Sequence, residues 1–246
     1  NRGEEPTSYT GELLLRTNYP GNPSFRVPLS GNRSPAPSAD VDGNGRDDIL
    51  WRSASGTNLA WLLGGAGGIA GAVRLPARVG ASWQLADTGD FDGDGIADLL
   101  WRHGATGQNQ IWFLRPGGVR RILATITLAD PSWQIAGAGD VDGDGRADIL
   151  WRHQVSGENR VWLMSAETVS QTLVLDPLPP PWQIAVVGDL DNDGVQDLAA
   201  GSLDDDGGYR RGAVWVLFMN SSGTVKSYKK ISDTSGGLAA TLGNGN

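Results

Sequence analysis

Four stretches of nine residues carry oxygen-bearing side chains at positions 1, 3, 5 and 9 and a glycine at position 6. They are Asp40, Asp42, Asn44 and Asp48 with Gly45; Asp90, Asp92, Asp94 and Asp98 with Gly95; Asp140, Asp142, Asp144 and Asp148 with Gly145; and Asp189, Asp191, Asp193 and Asp197 with Gly194. Alternating oxygen donors, a sharp turn at a glycine and a backbone carbonyl just after it are what wrap a hard cation such as Ca²⁺. The residues whose carbonyls would serve at position 7 are Arg46, Ile96, Arg146 and Val195. Their types vary, as they can if only the carbonyl is used. A helix-loop-helix Ca²⁺ site would close with a glutamate at position 12. Here position 12 is Trp51, Trp101, Trp151 or Ala200, inside an apolar run. The Asp at position 9 must therefore close each loop, which puts it between two strands. Acidic turns without a metal would leave three or four carboxylates repelling one another at close range; a cation at the centre removes that cost.

The elements that position these loops repeat with them. The chain reads "ADVDGNGRDDILWRS" from Ala39, "GDFDGDGIADLLWRH" from Gly89, "GDVDGDGRADILWRH" from Gly139 and "GDLDNDGVQDLAAGS" from Gly188, and the first aspartates are spaced by 50, 50 and 49 residues. Around each loop lie short apolar or alternating runs bounded by Gly, Pro, Asp or Asn, which is the signature of strands. Glycine and proline interrupt nearly every window long enough for a helix. Four short strands in about 50 residues is the arithmetic of a β-propeller blade. The expected fold is all-β: one propeller domain over 1–246 of four-stranded antiparallel blades. Its repeats run approximately over 31–80, 81–130, 131–180 and 181–233. Partial pieces at 9–30 and 234–246 would make an incomplete or shared fifth blade, the first supplying third and fourth strands and the second the start of a first strand.

The ten tryptophans recur with the repeat. Trp83, Trp133 and Trp182 open the first strand, Trp51, Trp101 and Trp151 end the second, and Trp61, Trp112, Trp162 and Trp215 lie in the third. Packing between neighbouring blades is their plain reading. A sugar-stacking platform is the sharper one for any exposed indole, and Asn109 or Asn159 beside Arg102 or Arg152 would fit it. The plain reading of those arginines is stacking on the adjacent blade's tryptophan.

Composition narrows the function. With no cysteine among 246 residues, neither disulfides nor a thiolate metal site are available. The net charge of −8 is concentrated in the loops, and four divalent ions would balance it. An acidic chain without a basic stripe argues against nucleic acid. No apolar run approaches the roughly 20 residues of a membrane helix, so direct membrane insertion is not expected. The chain opens at Asn1 without the charged and apolar regions of an export signal, which is expected to have been removed or to lie outside it.

The D-x-D-x-D-G-x-x-D pattern, in strands such as "WQIAGAGDVDGDGRADILWR", resembles the FG-GAP repeat of integrin α-subunit propellers and its bacterial relatives in large secreted proteins. The resemblance covers nearly the whole chain. Its last repeat, "DLAAGSLDDDGGYRRGAVWVLFMNSSGTVKSYKKIS", is most similar to the integrin type, and the middle repeats with "LLWRH" or "ILWRH" to the bacterial branch. The resemblance implies about four Ca²⁺ at one face of a ring, between the first and second strands of each blade. The first repeat departs from the pattern: it has Asn44 at position 5, a spare Asp47, and "NRSPAPSAD" in place of a Trp-Gln strand start.

His103 and His153 occupy the same place in adjacent repeats, where a residue is more often structural than catalytic. No G-x-S-x-G elbow appears, and the loop aspartates are committed to metal. The chain is thus expected to be no enzyme but a secreted or cell-surface, calcium-binding recognition or adhesion module. Its partner would be an extracellular protein. The alternatives are a lectin-like propeller holding a glycan between blades, or an accessory propeller of a secreted hydrolase, for which metal-dependent hydrolysis would be the form of any catalysis.

Overall fold

A computed structural model describes residues 8–15, 25–32, 39–65, 68–78, 80, 82–165, 168–177, 182–191, 193–202, 213–222 and 224–232. Every regular element among them is a strand, and every pairing is antiparallel. The hairpin β1 (Ser8–Leu15) and β2 (Phe25–Asn32) pairs from Ser8↔Asn32 to Leu15↔Phe25. Sheet 1 comprises β3 (Ile49–Arg52), β4 (Asn58–Leu63) and β5 (Ile69–Leu75). Sheet 2 comprises β6 (Trp83–Gly89), β7 (Asp98–His103), β8 (Asn109–Arg115) and β9 (Gly118–Thr125). Sheet 3 follows with β10 (Trp133–Gly139), β11 (Asp148–His153), β12 (Asn159–Ser165) and β13 (Thr168–Leu175). Sheet 4 is β14 (Gln183–Gly188), β15 (Asp197–Ser202), β16 (Ala213–Met219) and β17 (Val225–Ile231).

In each four-stranded sheet the strands lie in chain order, so every connection is local and the acidic loop joins the first strand to the second. The expected first strand of the first repeat falls largely on residues 33–38, and the expected C-terminal strand on 234–246; both lie outside the described residues. First strands pack in series, β6 on β10 and β10 on β14.

Three cores fill the spaces between successive sheets. Val41, Ala60 and Leu75 of the first repeat meet Leu99, Trp101, Trp112 and Leu114 of the second. Phe91, Leu100, Ile111 and Phe113 meet Ile149, Trp151, Trp162 and Met164. Val141, Leu150, Val161 and Leu163 meet Leu198 and Met219. A strand between two cores is apolar on both faces, which is why β7 and β11 read as continuous apolar runs.

The tryptophans follow this plan with one correction. Trp61, Trp112 and Trp162 stand opposite Ile49, Leu99 and Ile149 in the second strand. In sheet 4 the residue opposite Leu198 is Leu217, and Trp215 lies across from Ala200 instead. Trp215 is thus two residues out of register with the other three, because cross-strand pairing, not the local run "AVWVLF", sets the alignment. Where sheet 3 has the tilted pair Trp151 and Trp162, with ring centroids 4.7 Å apart, sheet 4 has Ala200 and Leu217.

Arginines stack from one repeat to the next: Arg52 over Trp101 at 4.9 Å and Arg102 over Trp151 at 4.8 Å. Asn109 and Asn159 are buried, holding the guanidinium of Arg102 or Arg152 at 3.1 and 3.0 Å. They belong to the packing between sheets. Each histidine ring meets a tryptophan edge, His103 on Trp83 and His153 on Trp133. Nδ1 of His103 accepts the Thr106 amide, and Nδ1 of His153 accepts that of Ser156, so both rings hold the turn after the second strand.

Candidate metal centre

We number the acidic loops L1 (40–48), L2 (90–98), L3 (140–148) and L4 (189–197). Each is built by its own carboxylates accepting backbone amides. In L2, Asp90 takes the N–H groups of Gly93, Asp94 and Gly95 at 2.7, 3.1 and 2.7 Å. Asp40 and Asp140 take the equivalent three, and Asp189 takes those of Asp193 and Gly194. Position 5 repeats the device one step on: Asp94, Asp144 and Asp193 each accept the amide of position 7. Asn44 instead donates through Nδ2 to the Leu63 carbonyl. Such tight winding needs left-handed backbone at position 6, where Gly45, Gly95, Gly145 and Gly194 have φ of 80 to 89°. Position 4 is left-handed too, at Gly43, Gly93 and Gly143, a requirement the sequence reading did not single out.

The loops converge as anticipated at positions 1 and 3. Ligand-type oxygens of Asp40, Asp42 and Asp48 lie within 4.8 Å of one another, as do those of Asp90, Asp92 and Asp94, of Asp140, Asp142 and Asp148, and of Asp189, Asp191 and Asp197. These four clusters could hold metal ions. The third member is position 9 in L1, L3 and L4 but position 5 in L2.

Position 9 does more than close the loop. Asp98 is fully buried and accepts the Phe91 amide at 3.0 Å through one oxygen and the Leu114 amide at 2.8 Å through the other. Asp148 accepts Val141 and Met164 in the same way, Asp48 accepts Val41 and Leu63, and Asp197 accepts Leu190 and Met219. Each thus ties its loop to the end of the third strand. A carboxylate oxygen keeps a second lone pair, so this bonding leaves room for a cation. Burial pushes Asp98 up to about 8 and Asp148 up to about 7, outweighing the amides that favour the charged form. Asp48 and Asp197 are raised for the same cause.

The donor set fits a hard divalent ion. It is all oxygen, and Oδ1 of Asp92 is buried without a hydrogen-bond partner, a costly state for a carboxylate oxygen unless a cation faces it. Arg46, Ile96, Arg146 and Val195 follow the left-handed glycine directly, placing position 7 at the exit of each turn.

Successive loops are also joined. The amide of Ala97 donates to the Asp40 carbonyl at 2.7 Å, that of Ala147 to Asp90 at 2.7 Å, and that of Gln196 to Asp140 at 3.0 Å. Nearby, the half-buried Asp87 accepts the Ala138 amide of the next sheet at 2.7 Å. Its carboxyl is raised chiefly by burial. Nothing in the sequence distinguished it from a surface aspartate.

A family model for the FG-GAP-like repeat matches residues 40–101, 90–151 and 140–200, each match running from one acidic loop into the next. Among solved structures, a chain of the Photorhabdus luminescens Tc holotoxin pore is similar over 93% of this chain and 11% of that one, with 16% sequence identity and a TM-score of 0.46. No curated protein matches.

Proposed function

The chain belongs to the FG-GAP-like repeat family, and from that premise we propose that it is a non-catalytic recognition module whose four acidic loops each hold a Ca²⁺ ion. The observation that carries this reading is the fourfold convergence of carboxylates within 4.8 Å, each cluster wound on its own backbone amides. Carboxylate and carbonyl oxygens suit Ca²⁺, whose coordination geometry is adaptable, better than Mg²⁺, which demands near-ideal octahedral geometry. Each ion would be structural: it neutralises a loop that ties the first strand to the third. In this reading the sheets are blades of a propeller, supported by the serial packing of β6, β10 and β14, and the chain works outside the cell, where Ca²⁺ is plentiful. Extracellular sites of this type bind at ~10⁻⁴ to 10⁻³ M. At millimolar Ca²⁺ each would add roughly 0.4 to 1.4 kcal/mol, which across four loops matters against a typical stability of ~5 to 15 kcal/mol. Calorimetric melting in EDTA, Mg²⁺ and Ca²⁺ tests this: the midpoint rises in Ca²⁺ alone, and equal midpoints in EDTA and Ca²⁺ overturn it.

One observation favours glycan over protein as the partner. Replacement of the tryptophan pair by Ala200 and Leu217 coincides with a cleft of about 900 Å³ between sheets 3 and 4, lined in part by Asn159, Asp176, Lys226 and Tyr228. An apolar floor with an aromatic ring and polar groups at its edge suits a sugar. A glycan array with the native chain and with Tyr228→Ala, each with and without Ca²⁺, separates the two partner classes: glycan binding lost in the variant supports the cleft, and no glycan bound by the native chain leaves the protein partner.

A further inference from the structure

The last strand of each of sheets 1 to 4 carries a bulge opposite the end of the strand before it. The extra residue is Ala70 in β5, Arg120 in β9, Ser170 in β13 and Lys226 in β17. A bulge re-aims one side chain out of the pleat, and here the two cationic ones reach the acidic loop of their own repeat. The Arg120 guanidinium pairs with the Asp92 carboxylate of L2. The Lys226 ammonium lies 2.8 Å from Asp191 of L4 and also pairs with Asp193. That pairing holds Asp193 below the usual carboxylate range and raises Lys226. The neutral pair behaves otherwise: the Ser170 hydroxyl donates to the Leu163 carbonyl at 3.0 Å, and Ala70 has no polar side chain.

A second position follows the same division. Position 7 of L2, L3 and L4 points back to the loop before it. Ile96 lies beside Gly43 of L1 and Val195 beside Gly143 of L3, but Arg146 lies beside Gly93 of L2 and donates to the Asp92 carbonyl. At these two positions L1 and L3 receive only neutral groups, L2 receives two guanidiniums, and L4 receives an ammonium at the bulge.

We propose that Arg120 and Lys226 are tethered cations that stand partly in the place of the metal, so that L1 and L3 are tight, metal-dependent sites and L2 and L4 are weak ones. The proposal rests on reading the loops as Ca²⁺ sites. An ion entering L2 or L4 must share carboxylate oxygens with a fixed positive charge, and like charges a few ångströms apart at a half-exposed site weaken binding by about tenfold or more. An ion entering L1 or L3 meets no such charge at these positions. The arrangement also keeps two of the four loops wound when Ca²⁺ is scarce.

Calorimetric titration of the intact chain with Ca²⁺ provides the test. The expected isotherm has two tight and two weak sites. Arg120→Gln, which removes the charge and keeps a polar side chain, should tighten one weak site by about tenfold, and Lys226→Gln should tighten the other. Ser170→Lys installs a cation at the equivalent bulge and should weaken one tight site by a similar factor. Circular dichroism of each variant in saturating Ca²⁺ verifies folding. Four equivalent sites that ignore all three substitutions overturn the proposal while leaving the loops as Ca²⁺ sites. A chain that takes up no Ca²⁺ overturns both.

Discussion

The guanidinium carbon of Arg102 sits 4.8 Å from the ring centre of Trp151, a residue of the next repeat, while its nitrogens donate to carbonyls of Gly107, Leu128 and Trp133 and to the Asn109 side chain. One side chain therefore joins the turn at Gly107, the β9–β10 connection at Leu128 and the first residue of β10 to the aromatic core of the next repeat.

Arg102→Ala strands those acceptors and uncovers an indole, at an expected cost of ~3 to 5 kcal/mol. Arg102→Lys keeps the charge but loses the planar fork, at roughly 2 kcal/mol or more. Urea unfolding measures both, and a midpoint unchanged by Arg102→Ala would show that the stack contributes nothing.

Within L2 two carboxylates have separable roles. Asp98→Ala removes the acceptor of two buried amides and should destabilise the chain by ~2 to 4 kcal/mol even in EDTA. Asp94→Ala should empty L2 alone, because each loop draws its side-chain donors from its own nine residues, and Asp144→Ala should do the same for L3. Metal stoichiometry then falls by one in each case; release from every loop after one substitution contradicts this.

The metal-free chain should lose stability as pH rises. An unfolded carboxyl titrates near ~3.9, whereas folded Asp98 and Asp148 do so at about 8 and about 7. Between those limits the folded chain holds protons that the unfolded chain has released. Their contribution is complete below ~pH 4 and disappears as pH passes through 7 to 8. Asp87, also raised by burial, adds the same sign. In the proposed sites Ca²⁺ would bind the ionised form, so it should expel these protons and flatten the profile. Urea midpoints at pH 5 and 8.5, with EDTA and with Ca²⁺, read the slope directly, and a midpoint that climbs with pH in EDTA refutes it.

Deleting residues 1–30 removes the β1–β2 hairpin. If that hairpin completes a closed ring of blades, the truncated chain should aggregate or melt far lower, because a bare sheet edge recruits other chains. An unchanged, monomeric truncation would show that the hairpin closes nothing.

Much of the site was legible because its chemistry is local. The glycine at position 6 and the carboxylates at 1 and 3 are dictated by a turn of nine residues, and they stand where their spacing put them. Illegible features depend on partners far along the chain. The two amides on Asp98 come from Phe91 and from Leu114, a residue in another strand. The register that separates Trp215 from Trp162 is set across β15 and β16. Bulges decide that Arg120 and Lys226 face the loops, and strand alternation gives no sign of a bulge. Arg102 could be assigned to stacking from repeat logic alone, since the third repeat supplies Trp151 to it, whereas the fourth repeat has Ala200 where the same logic puts a ring for Arg152.

The amides of Ala97, Ala147 and Gln196 clasp each loop to the carbonyl of the one before it. The four loops thus form a zip fastener in which L2 and L3 are gripped on both sides and L1 and L4 on one. A row held this way opens from its ends, so heat should free the outer teeth first. The Ala147 amide, at the middle clasp, should be the last of the three to exchange its proton with solvent.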